Sequence, residues 1–241
     1  MLSIEGLTVR YRNGAPPALS ELSLSVAAGE RVALVGPSGS GKTTLFRAIS
    51  GFVPIETGRI LIAGTDITRA RGRHLRALRR GIGVIAQQHD LVERMRVYQN
   101  VMAGALGRWS TPRAVRFLFL PRRAEMEEAR SALERVGVAE KLRSRTSELS
   151  GGQQQRVAIA RALVQQPVVM LADEPIASLD PQLAQHILSL LCRLAGETGT
   201  ALLCSLHQHE QAERHFDRIM RLQEGTITAY GLADAPLATV S

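Results

Sequence analysis

The stretch Val32-Ala33-Leu34-Val35-Gly36-Pro37-Ser38-Gly39-Ser40-Gly41-Lys42-Thr43-Thr44 decides the fold. An apolar run leads into a glycine-rich loop, and helix-compatible sequence follows. The three glycines let the backbone curl around an anion with successive N–H groups pointing inward. A helix that starts near Lys42 adds its positive N-terminal end to the same place. The spacing G-x(4)-G-K-T therefore predicts a phosphate-binding loop between a strand and a helix.

Two side chains of this loop have predicted tasks. Lys42 can reach the β- and γ-phosphates of a nucleotide, and the Thr43 hydroxyl can hold a magnesium ion that bridges them. A nucleotide base also needs a flat partner, and the chain has one Trp, three Tyr and five Phe to offer. Tyr11, at the end of a predicted strand, is a candidate for that contact, although ordinary packing is an alternative.

The composition is that of a globular chain with a basic balance. Apolar residues make up 45% of the 241 residues, and the net charge of +8 favours anionic lipid or nucleic acid without choosing between them. Of the 30 basic residues only Lys42 and Lys141 are lysines. No signal peptide and no apolar run of membrane-spanning length are apparent. Cys192 and Cys204 predict neither a disulfide framework nor a zinc site, and they fit a cytosolic location.

The N-terminal part predicts strands and one basic helix. Residues 2–11 alternate as an edge strand would, and 22–26 alternate again, which predicts antiparallel strands beside the loop. A glycine-bounded strand is expected at 58–64. The arginine-rich run 69–80 favours a solvated helix face over a dedicated lipid or nucleic-acid site. A short strand at 83–86 follows and ends at Gln87.

Residues 90–150 change to helical patterns. An apolar stripe recurs at helical spacing on a charged background, at Met126, Ala129, Leu133 and Val136. The segment 107–121 is rich in helix breakers and contains Trp109, Phe117 and Phe119, so we expect it to present apolar residues at a surface. The whole region is predicted to be a helical insertion that can move against the core.

A second helix start suited to an anion lies at Leu149-Ser150-Gly151-Gly152-Gln153. Ser150 is placed as the N-cap of a long helix, and the two glycines leave backbone N–H groups accessible. One chain thus carries two such helix starts.

Polar residues follow the buried strands predicted in the C-terminal part. The strand 168–172 ends in Asp173 and Glu174, which face different ways and can take different tasks: magnesium binding for Asp173 and proton acceptance from water for Glu174. The strand 201–206 ends at His207. In a parallel sheet these strand ends share one edge, where ligands bind. The tail 218–230 predicts a closing hairpin.

Taken together, these residues resemble the ATP-binding subunit of ABC transporters over nearly the whole chain. The motifs that carry the resemblance are Gly36–Thr43 (Walker A), Gln87 (Q-loop), Leu149–Gln153 (signature), Val168–Asp173 (Walker B), Glu174 (catalytic carboxylate), Ser178–Asp180 (D-loop) and His207 (switch histidine).

The resemblance implies an α/β fold with a RecA-like P-loop NTPase core, an antiparallel β subdomain and an inserted helical subdomain. The chain 1–241 would be a single ABC ATPase domain, with core and β subdomain in 1–87 and 157–241 and the helical subdomain in 88–156.

The resemblance also implies ATP and Mg²⁺ as cofactors and a head-to-tail homodimer with ATP sandwiched between the copies. The residues implied to bind ATP are Tyr11, Gly36, Ser38, Gly39, Ser40, Gly41, Lys42, Thr43 and Thr44. Those implied to act in catalysis are Glu174, His207, Lys42 and Gln87, and those implied to hold the metal are Thr43, Gln87 and Asp173. The signature residues that would act on the other copy are Ser150, Gly151, Gly152 and Gln153, and the D-loop residue is Asp180.

Within this family the segments 87–92, 100–104, 106–111 and 206–208 resemble the ATPase of phosphonate importers. Ala86, Ile176 and part of 205–210 depart from the usual pattern. The implied partners are membrane-spanning permease subunits at the cytoplasmic face of the inner membrane and, indirectly, a periplasmic or extracellular substrate-binding protein. Alternatives are another cargo, such as amino acids or lipoproteins, and an accessory protein of phosphonate breakdown. Action on nucleic acid is not expected, because neither a second cassette nor a long coiled-coil insertion is present.

Overall fold

The computed structural model describes residues 1–12, 15–177, 179–232 and 238–239. In chain order the strands are β1 (Leu2–Val9), β2 (Leu19–Val26), β3 (Arg31–Val35), β4 (Thr57–Ile62), β5 (Thr65–Asp66), β6 (Ile82–Ile85), β7 (Val169–Asp173), β8 (Ala201–Leu206), β9 (Arg218–Gln223), β10 (Thr226–Leu232) and β11 (Ala238–Thr239). The α-helices are α1 (Lys42–Ile49), α2 (Gly72–Arg79), α3 (Val97–Met102), α4 (Thr111–Phe119), α5 (Arg123–Arg135), α6 (Gly151–Val164), α7 (Pro181–Thr198) and α8 (His209–Glu213).

The larger sheet has the strand order β11-β10-β9-β3-β8-β7-β6. The five strands from β9 to β6 run parallel, whereas β10 pairs antiparallel with both β9 and β11. The predicted hairpin at 218–230 is therefore confirmed. Since all five parallel strands point the same way, the residues that follow β3, β6, β7 and β8 meet at one edge.

Both faces of the parallel sheet are buried, as expected for strands connected through helices. Successive side chains point to opposite faces. On β3, for example, Val32 and Leu34 pack with α1 and the smaller sheet, whereas Ala33 and Val35 pack with the apolar sides of α6 and α7. The near-continuous apolar runs in the sequence thus reflect burial on two sides.

The smaller sheet is antiparallel, in the order β2-β1-β4-β5. The prediction of an edge strand at residues 2–11 was wrong, because β1 lies between β2 and β4 and ends at Val9. Any antiparallel strand with one face on the core alternates apolar and polar residues, whatever its place in the sheet. The register shifts between Ile4 and Leu7, around Gly6, so that buried positions change from even to odd numbers.

Helices α3, α4 and α5 lie within residues 90–150, where helical patterns were predicted. The stripe on α5 is confirmed, since Ala129 and Leu133 are buried and Val136 follows them into the same core. The expectation for 107–121 held in part. Phe117 is buried, with its ring edge-on to that of Trp109 at a centroid distance of 5.1 Å, whereas Phe119 is 78% exposed.

Helix α2 is the predicted solvated helix, since none of its residues is buried. Its Arg79 donates to the carbonyl oxygens of Ser50 and Gly51 at 2.8 Å each and stacks on Phe52. Cys192 and Cys204 are both buried and free. Among the described residues, no helix combines the length and apolar character needed to cross a membrane.

Candidate nucleotide site

The phosphate-binding loop joins β3 to α1. Gly41 precedes α1 with φ of 112°, a left-handed conformation that glycine adopts readily, and none of the described residues caps the helix start with its side chain. Gly36 lies so close to the β9 backbone that a Cβ would come within 2.2 Å of the Leu222 carbonyl oxygen. The loop backbone is thereby positioned with the first N–H groups of α1 free to bind an anion.

Lys42 is the charged centre of this loop. Its side chain is 4% exposed, and Nζ donates to the carbonyl oxygens of Gly36 (2.7 Å) and Pro37 (3.1 Å). Burial lowers the pKa of Lys42 below the usual lysine value, and the charges of Glu174 and Asp173 partly oppose that shift. The ammonium is thus held inside the loop by its own backbone.

Glu174 connects this loop to the end of β8. Its Oε1 lies 2.7 Å from His207 Nε2 and 3.8 Å from Lys42 Nζ. Glu174 also has φ of 48°, which is uncommon for a residue with a side chain and marks local backbone strain. An acid, an imidazole and an ammonium therefore converge at the edge of the parallel sheet.

Asp173 and Glu174 are both hydrogen-bonded to Ser205, a residue that sequence reasoning missed. The Ser205 hydroxyl donates to Asp173 Oδ1 (2.7 Å) and accepts from the Glu174 backbone N–H (2.8 Å). The available signal was a single serine in an otherwise apolar buried strand.

Two clefts meet at this cluster and share Gln87 and Glu174. The first, of about 440 Å³, is lined by the loop and the start of α1: Ala18, Ser38, Gly39, Gly41, Lys42, Thr43, Thr44, Gln87 and Glu174. The second, of about 420 Å³, contains His207, Ser205 and the apolar side chains of Ile176 and Leu206. Most of the residues predicted for one chain's own half of a nucleotide site are thus brought together.

Tyr11 and Ser40 complete this region. Tyr11 is 53% exposed, and its hydroxyl lies 3.2 Å from Thr44 Oγ1 beside the loop. Ser40 is buried, and its hydroxyl has no hydrogen-bond partner among the residues that the structure describes. A buried hydroxyl without a partner is costly, so Ser40 is suited to contact a polar ligand.

The predicted metal ligands offer the hard oxygen atoms that Mg²⁺ prefers: the Thr43 hydroxyl, the Gln87 amide and the Asp173 carboxylate. The chemistry of this donor set fits magnesium, with the remaining coordination positions left to phosphate and water. The described residues contain no group of three or more His, Cys, Asp or Glu suited to a metal.

The signature residues lie outside both clefts. Ser150 caps α6, accepting from Gln153 N–H at 3.4 Å, while Gln153 Oε1 accepts from Ser150 N–H at 3.0 Å. Gly151 is exposed and Gly152 is buried. Asp180 caps α7 by accepting from Leu183 N–H at 3.0 Å. Ser178, the first residue of the predicted D-loop, lies outside the described residues.

The segment after Gln87 is attached to α6. His89 and Asp90 have φ of 60° and 48°, and Arg161 of α6 donates to the carbonyl oxygens of both, at 2.8 Å for His89. Burial lowers the pKa of Arg161, although the charge of Asp90 partly opposes that shift. Sequence reasoning missed this contact, because it joins residues about seventy positions apart.

Comparison with known proteins agrees with this geometry. The family model described as ABC transporter matches residues 19–177. The chain belongs to the ABC transporter family of ATP-binding cassettes. It is 47% identical over 231 residues to the phosphonates import ATP-binding protein PhnC of Frankia casuarinae, covering 92% of this chain and 87% of that protein. A PhnC protein of Halalkalibacterium halodurans is 41% identical, with 96% and 93% covered.

Solved ABC cassettes share the fold. The dimeric cassette MJ0796 is similar with a TM-score of 0.84 and 28% identity, covering 98% of this chain and 100% of that one. The cassette cbiO1 of Clostridium perfringens, part of a cbiONQ transporter complex, has a TM-score of 0.84 and 30% identity, with 96% and 88% covered. The predicted fold class is confirmed, and the chain is an ABC-type ATPase. The division at residues 87 and 157 and the roles of single residues stay predictions.

Proposed function

We propose that this chain hydrolyses ATP to drive import of phosphonates through a permease at the cytoplasmic face of the inner membrane. The chemistry rests on one observation: the Glu174 carboxylate lies in hydrogen-bond contact with His207 and 3.8 Å from Lys42, where two clefts meet. The cargo is supported by the phosphonate importers that match more than nine-tenths of the chain at 41–47% identity.

In the proposed reaction, water attacks the terminal phosphorus and the bond to the ADP oxygen breaks. Glu174 is placed to accept the proton from that water. With its proton on Nε2, His207 donates to Glu174 and fixes the direction of the carboxylate. Lys42 and the N–H groups at the start of α1 stabilise the negative charge on the phosphates. Tyr11 is proposed to stack on the adenine.

Thr43, Asp173 and Gln87 would hold Mg²⁺. When bound, the ion neutralises charge on the β- and γ-phosphates. Asp173 is suited to this task because, among the residues that the structure describes, only its Oδ1 accepts a hydrogen bond, from Ser205.

A second copy of the chain is proposed to complete the site. Cassettes of this family act as dimers, and the signature helix start of this chain lies away from its own loop cleft. In a head-to-tail dimer Ser150 to Gln153 of one copy would face the phosphates bound by the other, with Asp180 near the junction. One chain then supplies half of each of two sites.

The exposed side of α4 is proposed to contact the permease. Val115, Leu118 and Phe119 lie at helical spacing and are 51%, 45% and 78% exposed, and Leu120 beside them is 72% exposed. Large apolar side chains that are exposed close together on one helix commonly mark an interaction site. The buried Phe117 on the same helix anchors this patch to the core.

Growth on a phosphonate as sole phosphorus source tests the function. A strain lacking this gene and any redundant uptake system is complemented with wild type, Glu174→Gln or Glu140→Gln, the last removing an exposed acid that lines neither cleft. Wild type and Glu140→Gln should restore growth and uptake of labelled phosphonate, whereas Glu174→Gln should not. Normal uptake in the deletion strain would remove the cargo assignment and leave the ATPase.

Co-purification tests the permease contact. The double change Phe119→Ser with Leu120→Ser should abolish recovery of the permease with the cassette and leave ATP binding by the isolated cassette unchanged. The control Phe52→Ser removes an aromatic ring that is 68% exposed elsewhere on the surface. Equal permease recovery with all three proteins would contradict the proposed contact.

A further inference from the structure

Ser205 is a polar residue in a strand where all six residues are buried. It lies on β8 directly opposite Asp173 of β7 in the parallel register, and it is fully shielded from solvent. Its strand neighbours Cys204 and Leu206 point to the opposite face and pack in the core. A hydroxyl in such a place is costly unless it is hydrogen-bonded.

The directions of its two hydrogen bonds follow from the donors available. The Glu174 backbone N–H can only donate, so Ser205 Oγ accepts there at 2.8 Å. The single hydroxyl proton is then left for Asp173 Oδ1 at 2.7 Å. One hydroxyl therefore holds a side chain and the neighbouring backbone at the same time.

This arrangement acts where the backbone is strained. A left-handed conformation at a non-glycine residue is strained and persists only when its surroundings hold it. Glu174 is held in that conformation through its N–H by Ser205 and through its carboxylate by His207, two positions further along the chain. The end of β8 thus restrains both the backbone and the side chain of Glu174.

We propose that Ser205 is a positioning residue that directs the free oxygen of Asp173 toward the magnesium ion and fixes the backbone of Glu174 for proton acceptance. The inference rests on the proposed roles of Asp173 and Glu174. Partners that orient metal ligands typically change metal affinity or activity by about 10–100-fold when removed.

The test compares Ser205→Ala, Ser205→Thr and the control Cys204→Ala, which removes a small buried side chain from the same strand. In full-length protein, Mg²⁺ is titrated against a fluorescent, non-hydrolysable ATP analogue, and ATP hydrolysis is followed separately. Ser205→Ala should raise the Mg²⁺ concentration at half-saturation about tenfold and lower kcat. Binding of the analogue in EDTA should not change. Ser205→Thr, which keeps the hydroxyl, should restore the Mg²⁺ response.

An unchanged Mg²⁺ midpoint in Ser205→Ala would overturn the inference. So would an equal shift in Cys204→Ala, because packing alone would then explain the result. Asp173→Asn distinguishes a failure of the role of Ser205 from a failure of the metal assignment of Asp173. If Asp173→Asn moves the midpoint and Ser205→Ala does not, only the role of Ser205 fails. If Asp173→Asn also leaves the midpoint unchanged, the metal assignment of the proposed function fails and the inference fails with it.

Discussion

The two helix starts that the sequence marks for anion binding, those of α1 and α6, are built in different ways. At α1 the N-cap is Gly41, no side chain caps the helix, and the N–H groups open into a cleft beside Lys42 and Glu174. At α6 Ser150 and Gln153 cap each other, and the helix start belongs to neither cleft of its own chain.

The two helix starts differ in whether a side chain of the same chain accepts from their first backbone N–H groups. The N–H groups of α1 have no side-chain cap and are suited to take phosphate oxygens as partners. At the start of α6 the Ser150 hydroxyl already accepts from the Gln153 N–H within the chain, so a second molecule would meet a helix start that is capped in part. This difference favours phosphate binding by the loop of one chain together with the signature of a second copy.

The largest expected effect is that of Glu174→Gln, which keeps the α1 cleft and removes the proton acceptor. Turnover should fall about 10²–10⁴-fold while ATP binding persists. The variant should accumulate an ATP-bound dimer, measured by phosphate release and light scattering. Turnover close to that of Glu140→Gln would contradict the role of Glu174. A monomer in the presence of ATP would contradict dimerisation of the isolated subunit.

Mixing two inactive variants tests whether the helix starts act in different chains. Lys42→Ala impairs only the loop, and Ser150→Arg impairs only the signature. Each alone should lose most activity, yet an equimolar mixture contains heterodimers with one intact site, so roughly a quarter of the sites should recover. The control mixes Lys42→Ala with Glu174→Gln, which impair the same half and should show no recovery. If both starts act within one chain, neither mixture will recover.

The buried ammonium of Lys42 gives a smaller, pH-dependent effect. Its pKa is lowered by burial, so Lys42 loses its proton at a less alkaline pH than a solvated lysine does. ATP affinity should therefore weaken on the alkaline side before the usual lysine pKa is reached. Glu174→Gln removes a charge that raises this pKa, so the loss should move to lower pH. Equilibrium binding measured across alkaline pH gives the ATP affinity of wild type and of Glu174→Gln. If the two affinities depend on pH in the same way, the effect of the Glu174 charge on the pKa of Lys42 is contradicted.

Tyr11 should have the smallest effect. A stacked aromatic ring contributes about 0.5–1.5 kcal/mol, so Tyr11→Ala should weaken ATP binding by about 2–10-fold. Binding of inorganic triphosphate, which has no base, should not change. Tyr11→Phe loses only the contact with Thr44 and should bind ATP nearly normally. If Tyr11→Ala weakens binding of ATP and of triphosphate equally, Tyr11 acts on the phosphate-binding loop and does not stack on the base.

Features that depend on local chemistry were predictable from the sequence. The glycines before Lys42, the cap at Ser150 and the apolar runs that end at Asp173 and His207 each specify their element without help from distant residues. The parallel edge followed from those runs, so the convergence of Lys42, Glu174 and His207 could be anticipated, although their catalytic roles stay predictions.

Features that depend on pairing between distant segments were not predictable. The position of β1 inside its sheet depends on where β4 returns, and its alternating pattern is compatible with any position. The bond from Ser205 to Asp173 depends on the register of β8 against β7. Phe117 is buried and Phe119 is exposed because α4 turns one side to Trp109, which the helix breakers around it did not indicate.

The contact between Arg161 and the backbone at His89 and Asp90 couples the position of α6 to the segment after Gln87. Ser150 caps the N-terminal end of this helix. Arg161, about 16 Å from Ser150 along the helix axis, is hydrogen-bonded to the segment after Gln87. A rotation of α6 must either carry that segment with it or break both hydrogen bonds. As long as both hydrogen bonds persist, a displacement of α6 at the signature would therefore move the segment that follows Gln87.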